Sequence, residues 1–96
     1  MTELEKLQQE NAELKQRLEK YEKPKSIFAR RLKQARTKKG CTQQQLADIL
    51  KKKTMSVSQY ETSRNEPVLS TLVKIADYLD VSLDWLCGRT DKMSGV

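Results

Sequence analysis

TQQQLADILKKKTMSVSQYETSRNEP, residues 42–67, holds two short helical patterns separated by three lysines. Thr42 is a natural N-cap, and Gln45 three positions on completes a capping box for a helix carrying Leu46, Ala47, Ile49 and Leu50. That apolar stripe stops at Leu50. A second short helix is expected over residues 54–62, with Val57 and Tyr60 turned inward and every other position polar or flexible. A polar loop, Ser63 to Pro67, follows.

The flanking segments keep the helical period. Phe28, Leu32 and Ala35 share one face of a helix over residues 26–39, which Gly40 is suited to end. Residues 68–79 repeat the pattern on Leu69, Leu72, Ile75, Ala76 and Leu79. Ser82 then caps a last turn holding Leu83, Trp85 and Leu86, and Gly88 closes it. No strand signal competes, so the expected class is all-α, with five short helices over residues 26–88 and a loose tail at 89–96.

With these residues in place, the chain resembles the Xre family of phage repressor and Cro-like proteins. Gln43, Leu46, Ala47, Val57, Tyr60, Glu61, Asn65 and Pro67 stand in the family's register. FARRLKQARTKKG resembles its first helix, and LSTLVKIADYLDVSLDWLCG its fourth and fifth. The resemblance implies a five-helix, repressor-like helix-turn-helix domain whose third helix enters the DNA major groove, and a structural ion pair between Arg36 and Glu61. Two departures stand out. Lys51, Lys52 and Lys53 occupy the turn where the family has a glycine, an apolar residue and a small polar one, and Ser63 replaces a usual glycine. A non-glycine residue in a left-handed turn costs roughly 1 kcal/mol.

Charge points the same way. Residues 1–22 balance at −2 and residues 65–96 at −2, whereas residues 23–64 carry twelve bases against Asp48 and Glu61, a balance of +10. Such a concentration repels itself unless a polyanion neutralises it, although a merely solvated basic face would also read this way. Double-stranded DNA is the expected partner. Lys53, Thr54, Met55, Ser58, Gln59 and Thr62 are the expected base-reading positions: glutamine suits adenine, lysine suits guanine, and the methyls of Thr54 and Met55 suit thymine. Gln43, Lys51, Lys52, Arg64 and Asn65 are the expected phosphate contacts, with Lys38 and Lys39 further out.

At the N-terminus, Leu4, Leu7, Asn11, Leu14, Leu18 and Tyr21 recur at alternating spacings of three and four. With Leu4 at position a, Asn11 is also an a position, where an amide pairs with its symmetry mate in a parallel dimer. Glu10 then faces Lys15 of the partner, and Arg17 faces Glu22. The expected unit is a coiled-coil helix over residues 1–22, joined by a linker at 23–25 to the DNA-binding domain. A single amphipathic helix lying on its own domain is the alternative.

The remaining expectations are exclusions. No histidine, glycine-rich phosphate loop or paired nucleophile and base supports catalysis, and no ligand spacing supports a metal or cofactor. Cys41 and Cys87 are expected as reduced, buried thiols rather than a redox switch. No apolar run of membrane length and no leader is read in MTELEKLQQE, so the expected location is the cytoplasm. The expected function is a sequence-specific DNA-binding transcriptional regulator, a repressor by default, acting as a homodimer on an inverted repeat; no small-molecule ligand is expected, and the signal is expected through concentration, degradation or a partner protein, a protein antagonist being one candidate. The alternative is a protein-interaction module, scaffold or antitoxin-like, whose heptads bind another protein.

Overall fold

The computed structural model describes residues 2–6, 8 and 22–94. Five helices follow in order: α1 (Pro24–Lys39), α2 (Gln43–Leu50), α3 (Thr54–Glu61), α4 (Leu69–Leu79) and α5 (Leu83–Leu86). Residues 3–6 are helical as well, and no strand occurs among the described residues. Of the expected heptad seam, Leu4 is exposed. Leu7, Asn11, Leu14, Leu18 and Tyr21 lie outside the described residues.

Every helix sends a small set of side chains into one core. Leu32 on α1, Leu46 on α2, Val57 on α3, Ile75 on α4 and Leu86 on α5 are fully buried. Short helices are marginal alone, so each owes its persistence to this shared burial. Ala47 is also fully buried, and its small side chain lets α2 and α3 pack closely. Only Val57 and Tyr60 of α3 are buried, which leaves the rest of that helix outside the core.

The capping expectations hold at two helices. Thr42 Oγ1 accepts from the Gln45 amide at 3.1 Å while Gln45 Oε1 accepts from the Thr42 amide at 2.9 Å. Ser82 Oγ accepts from the Trp85 amide at 3.0 Å. At their C-termini all five helices use one device, a left-handed residue with paired backbone bonds reaching back three and five residues. Glycine supplies that residue at Gly40 and Gly88, whereas Lys51, Ser63 and Asp80 adopt it with φ of 56°, 63° and 55°.

Five expectations need correction. Pro24 and Lys25 are not linker but the first residues of α1, because proline's fixed φ suits the first helical position and its missing N–H costs nothing there. Leu69 is 74% exposed and Thr71 buried in its place. Side chains in a helix's first turn lean toward its N-terminus, here off the edge of the core. Ile49 lies at the rim of its stripe and is exposed. Cys87 is half-buried, unlike Cys41. Finally, residues 90–93 are not loose. Arg31 Nη1 donates to the Thr90 carbonyl at 2.8 Å and also to that of Trp85, the Ser82 amide donates to the Met93 carbonyl at 2.8 Å, and Met93 packs on the core.

Candidate nucleic-acid interface

The orientation of α3 is set at both ends. At its C-terminal end Glu61 is a junction: Oε2 accepts from Arg36 Nε at 2.6 Å, and Oε1 from Arg36 Nη2 at 3.1 Å and Gln43 Nε2 at 3.2 Å. Arg36 also donates to the Cys41 carbonyl at 2.8 Å. The glutamate side chain is 3% exposed and the arginine 13%. The hydrogen-bonded carboxylate pushes the Arg36 pKa above its ordinary value, more than burial lowers it. A forked, buried pair of this kind fixes geometry because breaking it strands a charge.

At the other end, Thr54 donates its hydroxyl to Gln44 Oε1, and Gln44 Nε2 donates to Asp48 Oδ1 at 2.9 Å. Gln44 therefore ties the first turn of α3 to α2. Sequence reasoning passed over this residue, although its spacing of four from Asp48 is a helix-pair signal.

The expected base-reading positions fall on this anchored helix. Met55 is 68% exposed, Lys53 and Thr62 are exposed, and Thr54, Ser58 and Gln59 are half-buried. Ser58 and Gln59 make no side-chain hydrogen bond among the described residues and are partly exposed. Thr62 differs, since its hydroxyl donates to the Ser58 carbonyl at 2.9 Å and presents its methyl instead. Lys53 is the N-cap and Thr54 the first helical residue, as the sequence pattern predicts.

Lys51, Lys52, Arg64 and Asn65 are exposed on the turns that bracket α3, and Gln43 reaches the same region from α2. Lys38 and Lys39 do not join them. Lys39 donates to the Tyr78 carbonyl and stands 4.3 Å over that ring, while Lys38 reaches Met93 Sδ at 3.6 Å. Both lie beside the C-terminal end of α4 and its following turn, away from α3, and remain exposed.

Electrostatically, the face is incomplete. Neither α2 nor α3 has an acidic residue in its first turn, and α3 begins beside three lysines, which oppose the positive end of its dipole. An anion bound there relieves both. A helix held by Val57, Tyr60 and Glu61, with a polar outer face and cations on both sides, has the form needed to lie in a wide groove lined by phosphate.

Comparison with known proteins agrees with this geometry: residues 32–86 match the family HTH_3, helix-turn-helix. The chain belongs to this family. Its helix-turn-helix domain is 43% identical over 64 residues to the prophage-derived HTH-type transcriptional regulator YonR of Bacillus subtilis, covering 67% of this chain and 59% of that one. It is 46% identical over 48 residues to the phage CTXphi transcriptional repressor RstR of Vibrio cholerae, covering 50% and 43%. The chain thus spans only about half the length of these relatives. Among solved structures, the restriction-modification controller protein C.AhdI of Aeromonas hydrophila superposes with a TM-score of 0.60 at 29% identity, covering 65% of this chain and 94% of that one.

Proposed function

We propose that the protein is a sequence-specific DNA-binding transcriptional regulator, with α3 as its reading helix. The observation that carries this reading is the outer face of α3, where Met55, Ser58 and Gln59 stand at least partly exposed between cationic turns on a helix locked by Arg36, Gln43 and Glu61. Related chains named as transcriptional regulators and as a phage repressor support it. Gln59 pairs with adenine, Lys53 donates to guanine, and the methyls of Met55, Thr54 and Thr62 meet thymine. Gln43, Lys51, Lys52, Arg64 and Asn65 hold phosphates.

One domain reads too few base pairs to single out a genomic site, so the active form is a homodimer on an inverted repeat with half-sites roughly 34 Å apart. Residues 1–22 supply it through the seam Leu4, Leu7, Asn11, Leu14, Leu18 and Tyr21 as a parallel coiled coil. The domain beginning at Pro24 binds DNA in the cytoplasm, and repression follows from occluding a promoter.

Mobility shift with sites selected from a random pool tests the reading. With about six phosphates engaged, affinity falls roughly a thousandfold between 50 and 200 mM salt. Joint replacement Gln43→Ala, Ser58→Ala and Gln59→Ala abolishes the selected preference. No DNA binding at low salt would instead favour a protein-interaction module.

A further inference from the structure

We propose that Asp48, acting through Gln44, fixes where the Thr54 hydroxyl sends its proton and so makes Thr54 a reader of amino bases, adenine or cytosine, at one position of the bound strand. This step rests on the reading of α3 as the recognition helix. Gln44 and Asp48 stand one turn apart on α2, the spacing at which a glutamine and an aspartate meet, and Gln44 Nε2 donates to Asp48 Oδ1 at 2.9 Å. Thr54, the first residue of α3, donates its hydroxyl to Gln44 Oε1. No other hydrogen bond among the described residues involves any of these three side chains. Asp48 and Glu61 are the only acids among residues 23–64, and Glu61 is the buried junction. Asp48 is exposed instead, where its charge opposes a phosphate-binding face, and its one side-chain bond is the hold on Gln44.

The direction of the relay follows from what each group can offer. An ionised carboxylate has acceptors alone, so Asp48 holds the Gln44 amide with its NH2 toward itself and its carbonyl toward Thr54. Against a carbonyl a hydroxyl has to donate, and threonine has one hydroxyl proton. Thr54 Oγ1 is therefore left with lone pairs only, on a side chain that remains partly exposed beside Met55. In the major groove adenine and cytosine present an amino group, whereas guanine and thymine present a carbonyl oxygen at the matching place. An oxygen with no proton to give accepts from the amino bases and meets the keto bases acceptor against acceptor. In water the difference is slight, because solvent supplies the missing partner. In a closed groove it grows, since an acceptor without a donor carries its full desolvation cost. The Thr54 methyl is unaffected and stays available to a neighbouring thymine. Gln44 and Asp48 are thus positioning residues, and they act on base choice through the hydroxyl of Thr54.

Selection of sites from a random DNA pool by the full chain, followed by titration of single-base variants of the selected site, tests this with the wild type, Thr54→Val, Thr54→Ser, Asp48→Asn and Gln44→Glu. Circular dichroism and thermal melting first establish that all five fold alike. Thr54→Val removes the hydroxyl and identifies the position by loss of its preference, and Thr54→Ser restores it. There the wild type is expected to favour adenine or cytosine over guanine or thymine by roughly tenfold. Asp48→Asn frees the Gln44 amide to turn its NH2 toward Thr54, whose proton then faces the base, so the preference at that position levels or passes to guanine or thymine while the other positions hold. A purely electrostatic role for Asp48 would raise affinity for all sites alike and move no preference. Gln44→Glu keeps an acceptor opposite Thr54, so affinity falls for all sites and the amino preference stays. A keto preference in the wild type, an unchanged preference in Asp48→Asn, or no effect of Thr54→Val at any position overturns the proposal and leaves α3 reading through its other residues. A wild type that selects no sequence overturns the reading of α3 itself, and this proposal with it.

Discussion

Gln43 Nε2 donates to Glu61 Oε1 across 3.2 Å, joining the first residue of α2 to the last residue of α3. Because Arg36 of α1 grips the same carboxylate, three helices meet at one buried anion. The glutamine thus helps to position α3, and on the proposed reading its remaining donor meets a phosphate. Glu61→Gln should destabilise the domain by about 3 kcal/mol or more, since it strands the Arg36 charge. The double change Arg36→Met with Glu61→Leu should recover most of that loss. Gln43→Ala should cost only about 1 kcal/mol, because the arginine fork remains. Urea unfolding of the four proteins measures all three, and an equal loss for Gln43→Ala and Glu61→Gln would refute the junction.

The shared C-terminal device of the helices predicts opposite effects at its glycine and non-glycine positions. Lys51→Gly, Ser63→Gly and Asp80→Gly should each stabilise by roughly 0.5 to 1 kcal/mol, as each removes a Cβ from a left-handed residue. Gly40→Ala should lose about 1 kcal/mol, since nothing lies within 4 Å of the added carbon and only the backbone objects. Gly88→Ala should lose more, because its Cβ would stand 2.8 Å from Ile27 Cδ1. Thermal melting ranks the five. Lys51→Gly should also weaken DNA binding while raising stability, which separates the lysine's electrostatic contribution from its backbone cost.

These two features mark how far the sequence could be read. Capping at Thr42 and Ser82, the inward Val57 and Tyr60 and the Arg36–Glu61 pair were legible because each depends on spacing within a helix or on a family register. Leu69, Lys38 and Lys39 were not. Whether a first-turn leucine reaches the core depends on where its helix begins relative to that core, and whether a lysine faces phosphate or Tyr78 depends on how α1 packs beside α4. The tail escaped for a similar reason: Arg31 reads as one more surface base until Trp85 and Thr90 are found beneath it. Gln44 fell between two expected roles, and only the tertiary contact with Thr54 shows its use.

Alkaline pH should weaken the fold. Burial pushes the Cys87 thiol up from its ordinary value, with Asp84 adding to the rise and Arg89 opposing it, and burial alone raises the Tyr60 phenol. Both groups therefore hold their protons more tightly when folded than when unfolded. Their contribution is complete below the unfolded values and is lost as pH climbs through the folded ones. The urea midpoint should stay level from about pH 6 to 8 and decline above about pH 9. Cys87→Ala should blunt the early part of the decline and leave the later, phenolic part. An early decline of equal size in that variant would remove Cys87 from the account. The same raised thiol should react slowly with iodoacetamide at neutral pH.

Met55 offers the cleanest separation of reading from folding. Its side chain is 68% exposed, it lies outside the core, and its helix is held by Val57, Tyr60 and Glu61. Met55→Ala should therefore change stability by no more than about 0.5 kcal/mol. If Met55 meets a thymine methyl, the same substitution should relax the preference at one base pair of each half-site, by roughly 1 to 3 kcal/mol at most, with the other positions unchanged. Phosphate contacts carry no base information, so Lys52→Gln should do the reverse: weaken all sites alike and lower the salt slope by about 0.9. Selection from a random pool, repeated with each variant at two salt concentrations, distinguishes the two. A Met55→Ala protein that selects the wild-type site with undiminished preference would move the reading surface away from the first turn of α3.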